Sequence, residues 1–414
     1  MIVGAGLVGT TLACYLGQQQ PELRIILLDA SPEPFSTPSP SPHRYGGEHF
    51  DPRVVALSPG SQKLLDDLGV WPKILAARAC PYRHMQVWDA EGTASINFSS
   101  HDLYLPALGH IVENSVALNA LHQRLREDEA SNQLTRIFDK RLVGLRLPAP
   151  DSAHADSRVR VELDTGEHFT TRLLIAADGA TSGIRDMAEF RTREWDYGHA
   201  AIVTTVRTAR SHEFTAWQRF QTSGPLAFLP LQVSPSDPEA GGNCYSSIVW
   251  SIATGEAEAL MQLDDAAFCA ELGNAFEQRL GPIVAVDKRF CVPLQQRHAV
   301  RYWQQGVALV GDAAHSLHPL AGQGVNLGLR DAQVLGEEIG RACRRGIPLS
   351  DSSILKRYER RRQGHNMAAM VTMEAFKRLF AAEAPALRWL RNAGMSLVNE
   401  QAWLKKRLAA LAIE

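Results

Sequence analysis

Several things are missing from this 414-residue chain, and each absence excludes something. There are six cysteines, Cys14, Cys80, Cys244, Cys269, Cys291 and Cys343, and no two form a C-x-x-C pair. That argues against zinc ribbons and redox dithiols and suits scattered thiols in a reducing compartment. No run of about 18 apolar residues occurs, so no membrane-spanning helix is expected. The start has no basic region leading into a long apolar run, so no secretory signal is read there. The net charge of -2 supplies no field that would hold nucleic acid. No carboxylate or cysteine cluster accompanies the neighbouring His315 and His318, so no metal site is expected.

What is present suits a soluble enzyme. With 45% apolar residues, a chain of this length can bury one large core or two interleaved ones. Met1-Ile2-Val3 reads as the end of a buried strand, Thr10 to Gln19 as a helix and Arg24 to Leu28 as a second strand, the start of a parallel sheet. Only three residues precede the glycine turn where strands average about five to six, so the first strand reads as cut short. Residues 31–47 form a Pro- and Ser-rich loop. A helix is expected over 61–68, strand-like alternation over 81–98, and a helix over 112–125. Residues 159–163 and 172–176 read as paired strands. From about Trp195 to Trp250 the pattern becomes an antiparallel sheet inserted into the first domain, closed by a helix over 265–280. A short strand at 307–310, a long helix at 325–343 and helical sequence from Ile354 complete the chain.

Three segments carry chemistry. In Gly4-x-Gly6-x-x-Gly9, the first glycine permits a tight turn, the second lets backbone approach a pyrophosphate, and the third lets helix pack on strand. The helix start offers free N–H groups and a positive dipole end to phosphates. Asp29 follows at the end of the next strand, placed to bond a ribose hydroxyl. The chain holds only one such fingerprint. The second segment is an apolar strand running into Asp178-Gly179 and on to Arg185. In the third, a strand delivers Gly311-Asp312 to its carboxyl edge, and a loop leads to Gly322-Gln323-Gly324 at the start of the long helix, where N–H groups could face an anion.

These segments, in this order and spacing, resemble the group A flavin monooxygenases, most nearly their ubiquinone-biosynthesis hydroxylase branch (the UbiH/UbiF/VisC type, closest to the VisC/UbiI-like members). The likeness covers nearly the whole chain. It rests on the run from Gly311 to Gly328, on Leu108-Gly109-His110-Ile111-Val112-Glu113-Asn114, and on Asp51-Pro52-Arg53-Val54-Val55-Ala56-Leu57-Ser58. Ala227 to Leu231 and Ser247 to Trp250 are similar as well. No W-x-W-x-I-P or C-x-x-x-x-C pattern occurs, which counts against flavin halogenases and disulfide reductases.

The resemblance implies a para-hydroxybenzoate-hydroxylase-like α/β fold. Residues 1–78, 108–186 and 284–345 would form a discontinuous Rossmann-like FAD-binding domain. Residues 79–107 and 187–283 would form the substrate-binding sheet, and 346–414 a helical end. FAD would be held by Gly4, Gly6 and Gly9 at the pyrophosphate, Asp29 at the adenosine ribose, and Arg53 along the cofactor. Asp178 would serve FAD and transient NAD(P)H, and Gly311 and Asp312 the ribityl chain. Pro319, Gly322, Gln323, Gly324, Val325 and Asn326 would lie beside the isoalloxazine ring. The implied reaction is hydroxylation of a polyprenyl phenol by O2 through a flavin C4a-hydroperoxide, at ring C5, with the C6 demethoxyquinone step as alternative. A non-catalytic flavin-binding scaffold in a biosynthetic complex is a further alternative. NAD(P)H is the reductant. No catalytic residue is named; His315 and His318 could act as a phenol base or be structural. Phe228, Leu229 and Leu231 could line an apolar pocket or belong to the core.

From Ala369 to Leu411, apolar residues at helical spacing (Phe376, Leu379, Phe380, Leu387, Leu390, Leu397, Leu404, Leu408) alternate with Arg and Lys. Such a helix can lie on a membrane or partner, or pack on its own domain. The expected location is cytoplasmic, with peripheral contact to the inner membrane and homo-oligomerisation both open.

Overall fold

The computed structural model describes residues 1–414 except 35–49, 91, 93, 129–132, 149–157, 234–242, 317–322, 382–396, 402–404 and 406–414. Five parallel strands form the sheet that organises the molecule: β1 (Ile2–Val3), β2 (Ile25–Leu28), β3 (Leu134–Ile137), β4 (Leu174–Ala176) and β5 (Val307–Leu309). Their spatial order is β5-β4-β1-β2-β3, with Trp303–Gln304 antiparallel at the β5 edge. β1 is two residues long, yet it pairs on both sides. β1, β2, β4 and β5 are buried almost throughout, which is why they read as unbroken apolar runs, whereas β3 at the edge exposes Thr135.

The expected pairing of 159–163 with 172–176 does not form. Val159–Leu163 pairs with His168–Thr171 and Leu142–Arg146 in a separate three-stranded sheet. Its side chains alternate buried and exposed, as suits a sheet wet on one face. Leu174–Ala176, buried throughout, joins β1 and β5 instead. The helix expected over 112–125 starts later, as Asn114–Asp128, because Val112 and Glu113 end the strand Gly109–Glu113.

Helix α1 (Leu7–Gln19) follows the glycine turn and packs on helix α2 (Gln323–Arg344). The contact is close. A Cβ at Gly328 would lie 2.7 Å from a methyl of Val8, and one at Gly336 would lie 2.4 Å from the ring of Tyr15.

The second layer is a nine-stranded sheet, mostly antiparallel, built on Thr192–Thr208 and Tyr245–Ala253. His84–Asp89 joins it in parallel with Thr215–Gln221, and Ser95–Ser99 forms its far edge. It reaches further along the chain than residue 283, since Ile283–Val286 and Phe290–Ala299 both pair with Thr192–Thr208. Cys80–Tyr82, by contrast, pairs with Gly109–Glu113 outside this sheet. One face packs under the helices Thr254–Gln262 and Asp265–Ala275, with Phe228 stacked on Phe276 at 3.7 Å. Phe228 is therefore core. Leu229 and Leu231 point to the opposite face, against Phe50, Ala56, Ile111 and Tyr245.

Helix α3 (Ser352–Ala381) runs along α2, and its Phe380 stacks on Phe220 of the large sheet at 4.0 Å. Further on, Asn399 accepts the Asn97 N–H and Lys405 pairs with Asp102. At these positions the C-terminal region packs on its own domain, while Leu397 is exposed. Of the other apolar positions named there, Leu387, Leu390, Leu404 and Leu408 lie outside the described residues. Among the described residues no helix is long and apolar enough to cross a membrane.

Candidate cofactor site at the carboxyl edge of the parallel sheet

Val3 stands opposite Leu28 on one side and Ala176 on the other, and Ala176 opposite Leu309. The strand ends are thus in one row. The residues that follow them, Gly4, Asp29, Ala177-Asp178 and Val310-Gly311-Asp312, emerge along a single edge. The chain runs from β1 through α1 to β2 on one side, whereas β4 lies on the other. This reversal opens a crevice at the strand ends, the place where such sheets bind ligands.

The glycines divide the turn's tasks. Gly4 has φ +103, and a Cβ there would lie 2.2 Å from the Ala177 carbonyl oxygen. A Cβ at Gly9 would lie 1.9 Å from the Gly4 oxygen. Both serve packing within the protein. At Gly6 a Cβ would meet no protein atom within 4 Å. Gly6 is exposed, so its bareness serves whatever occupies the crevice. The loop is held in place from outside: the Ala5 N–H donates to Asp29 Oδ2 at 2.5 Å, and the Ala5 carbonyl faces Thr10 Oγ1 and His122 Nε2 at 2.9 and 3.1 Å.

Asp178 accepts the Ile184 N–H through Oδ2 at 3.3 Å, while its buried Oδ1 has no protein partner among the described residues. Burial raises its carboxyl above the usual range, against the lowering pull of Ser182 and the Ile184 N–H. Asp312 sits in a short 3-10 turn, Gly311–Ala313, with its side chain reaching solvent. Surrounding protein still raises its carboxyl; the charge of Asp331 adds to this and His315 opposes it. Gly311 takes φ +58 to make the turn.

Arg53 is exposed just before Val54–Leu57, and its guanidinium has no partner among the described residues. The segment is fixed by Asp51, whose carboxylate accepts the N–H groups of Arg53 and Ser115 at 2.9 and 3.0 Å. Glu113, paired with Arg78 at 2.6 Å, accepts the Asp51 N–H. Asn326 near the start of α2 reaches the same segment. Its Oδ1 accepts from the Ser58 N–H and the Ser61 hydroxyl, and its Nδ2 donates to the Ala56 carbonyl. Its side chain is thus occupied by protein. Gln323, Gly324 and Val325 open α2. Pro319, Gly322 and His318 lie outside the described residues. His315 has no exposed surface and is bound to Asp331, so it meets no substrate directly. Among the described residues no group of three or more His, Cys, Asp or Glu could hold a metal ion.

The family model described as FAD binding domain matches residues 1–373. The chain belongs to this family. Among similar proteins is the 3-demethoxyubiquinol 3-hydroxylase of Escherichia coli, 35% identical, with 100% of this chain and 97% of that protein covered. Another is the ubiquinone biosynthesis monooxygenase COQ6, mitochondrial, of Xenopus tropicalis, 33% identical over 100% of this chain and 92% of its own length. Among solved structures, p-nitrophenol 4-monooxygenase PnpA of Pseudomonas putida aligns with a TM-score of 0.75 at 18% identity, covering 99% of this chain and 95% of that one. Klebsiella pneumoniae HpxO complexed with FAD and uric acid gives 0.70 at 18%, covering 99% and 96%. These show that the fold is that of the FAD-dependent monooxygenases. The protein is an FAD-dependent monooxygenase of the ubiquinone-biosynthesis hydroxylase group, with FAD as cofactor and NAD(P)H and O2 as co-substrates.

The crevice of this FAD enzyme fits its cofactor. The bare Gly6 gives room for a pyrophosphate, and Asp312 stands open at the edge. Oδ1 of Asp178, unpartnered among the described residues, is an acceptor open to a donor. Sequence reasoning placed Arg185 at the end of the second segment without assigning it partners, and assigned no role to Asp331. Arg185, 2% exposed, donates to the Ala313 and Ala180 carbonyls at 3.2 and 3.0 Å and ties the second segment to the third. Asp331 underlies the Gly311 turn. A charged residue amid the apolar positions of a helix was the available signal for Asp331; nothing local points to the partners of Arg185.

Proposed function

We propose that the substrate is a polyprenyl phenol and that the ring position hydroxylated is C5. The observation that carries the reading is the row of strand ends. It brings the glycine turn, Asp29, Asp178 and Asp312 to one edge, beside a large sheet that carries apolar residues on the face away from its covering helices. That side presents the half-buried Val203, Val249, Ala227 and Leu229, interspersed with the hydroxyls of Thr205, Ser247 and Ser251. A prenylated ring needs such an apolar wall, and the same wall excludes water from the reacting centre. The name of the E. coli relative, 3-demethoxyubiquinol 3-hydroxylase, supports the alternative, the demethoxyquinone step.

FAD, once reduced by NAD(P)H, supplies the oxygen activation. The protein's work is placement. Gly4 and Gly9 shape the turn, and Gly6 leaves room for the pyrophosphate. Asp29 holds the Ala5 N–H and would bind the ribose, and Asp312 would bind the ribityl chain. Arg53, whose guanidinium has no partner among the described residues, would offer positive charge to the cofactor. The N–H groups opening α2 at Gln323, Gly324 and Val325 would offer donors and a positive dipole end to an anionic part of the cofactor. No side chain is assigned as a proton-transfer group. Domain limits are proposed as 1–78, 108–186 and 284–345 for FAD and 79–107 and 187–283 for substrate, with the strand pairing of 283–299 joining the latter. A membrane-borne substrate supports peripheral contact with the inner membrane and membership of a biosynthetic complex.

The test is purification, a visible spectrum, and NADPH oxidation with and without a prenylated phenol. Bound flavin with oxidation stimulated by the phenol is expected. Flavin without stimulation would refute the substrate assignment. Quinone intermediates accumulating in a deletion strain would distinguish C5 from C6.

A further inference from the structure

Asp331 lies on α2 with no exposed surface, and four groups converge on its carboxylate. Oδ2 accepts the Gly311 N–H at 3.1 Å and lies 2.6 Å from Nε2 of His315. Oδ1 accepts Nε of Arg362 at 2.6 Å and Nδ2 of Asn366 at 3.1 Å. Arg362 also donates to Asn366 Oδ1 and to the Leu327 carbonyl. Asn366 in turn donates to the Tyr302 hydroxyl, which meets His298 Nε2 at 3.1 Å. Burial opposes the charged form of Asp331, but His315 and Arg362 together hold its carboxyl below the usual range. A buried carboxylate is tolerated only when its oxygens are met, and here each has two partners.

The distribution of those partners is informative. Two come from helix α3, Arg362 and Asn366. The other two belong to the cofactor turn: the Gly311 N–H immediately precedes Asp312, and His315 follows three residues later. An ion pair that only joined α2 to α3 would not put half of its hydrogen bonds on the turn. The Asp331 side chain is sealed from the crevice, so it acts through Gly311 and His315. At its other end α3 is seated on the large sheet through Phe380 and Phe220. The helix therefore spans from the cofactor turn to the substrate layer.

We infer that Asp331 is a positioning residue of the FAD site. Its carboxylate sets the Gly311-Asp312 turn that meets the cofactor, and Arg362 and Asn366 of α3 hold that carboxylate in place. The inference rests on the assignment of FAD to this crevice.

Two variants and one control test it, read by flavin fluorescence on titrating apoprotein with FAD, by the visible spectrum of bound flavin, and by apoprotein melting. Asp331→Asn leaves Arg362 buried without its counter-charge, so both melting point and FAD affinity should fall. The double variant Asp331→Asn with Arg362→Gln removes that stranded charge. It should recover the apoprotein melting point while FAD binding stays at least tenfold weaker than wild type, with an altered flavin spectrum. Full recovery of FAD affinity together with the melting point would overturn the inference, because charge balance alone would then explain Asp331. Wild-type FAD affinity in Asp331→Asn itself would also overturn it. If neither variant folds, Asn366→Ala decides, since it withdraws one donor from Asp331 and one acceptor from Arg362 while leaving the Asp331–Arg362 ion pair in place. Weaker FAD binding at an unchanged melting point supports the role, and unchanged binding removes it. A wild-type protein that takes up no FAD would instead count against the cofactor assignment, an outcome distinguishable from any failure of the variants.

Discussion

Arg185 and Ala313 lie 128 residues apart in the chain, yet Nη1 of the arginine donates to the alanine carbonyl at 3.2 Å. The bond joins the Asp178-Gly179 segment to the Asp312 turn, so two motifs separated in sequence are held as one surface. The guanidinium also reaches the Ala180 carbonyl, to which Arg297 donates as well, at 2.6 Å.

Arg185→Met should therefore harm the third segment more than the second, because Ala180 keeps a donor and Ala313 loses this one. An unsatisfied buried carbonyl costs about 1–3 kcal/mol, and the urea midpoint of the apoprotein should fall accordingly. FAD affinity should drop with it. An unchanged midpoint would show that the carbonyl finds water.

The two kinds of glycine in the turn should separate cleanly. Gly4→Ala forces a Cβ into the Ala177 carbonyl at a positive φ. It should destabilise the apoprotein by about 2 kcal/mol or more. Gly6→Ala meets no protein atom and should leave apoprotein stability within about 0.5 kcal/mol of wild type. It should nevertheless weaken FAD binding at least tenfold, as followed by flavin fluorescence. A Gly6→Ala protein that binds FAD normally would move the pyrophosphate elsewhere.

Asp312→Ala tests the opposite case, a side chain that serves the cofactor and not the fold. Its carboxylate makes no hydrogen bond to the described protein, so thermal stability without FAD should hold or rise slightly once a crowded charge is removed. FAD should be lost on gel filtration. Equal retention of the cofactor would refute its place on the ribityl chain.

Acid should destabilise the apoprotein through three histidines. Burial lowers His110, His212 and His298 to about 4 in each case, and in His298 the nearby His315 and Arg193 add to the effect. The unfolded chain protonates them below about pH 6.5 while the folded chain does not. Unfolding then takes up protons, and stability falls as pH drops from about 6.5 to 4 and levels off beneath. At pH 5 each site contributes a loss of about 2 kcal/mol. The raised carboxyls of Asp178 and Asp312 act in the opposite direction, since the folded state accepts their protons first. Urea midpoints at pH 7 and pH 5 measure the balance, and replacing His212, the most enclosed of the three, by Asn should flatten the slope.

Much of the fold was legible because its signals are local. Apolar runs ending at Gly4, Asp29, Asp178 and Gly311-Asp312 mark strands buried on both faces with turns at one end, and each lies within about ten residues of chain. The strand-like pattern from about Trp195 to Trp250, with Gly, Pro and aromatics between the strands, announces an antiparallel sheet. What the sequence by itself determined is thus the set of strand ends proposed to hold the cofactor, together with the glycine turn. Only the tertiary structure decided the partners of Arg185, the occupation of Asn326 by Ala56, Ser58 and Ser61, and the convergence of His315, Arg362 and Asn366 on Asp331. These are polar pairs spanning 16 to 270 residues. A buried donor or acceptor must find a partner, but chemistry alone does not say which. Several carbonyls could have accepted from Arg185 and several cations could have faced Asp331. The choice was made when the helices packed, at spacings set by Val8 against Gly328 and Tyr15 against Gly336.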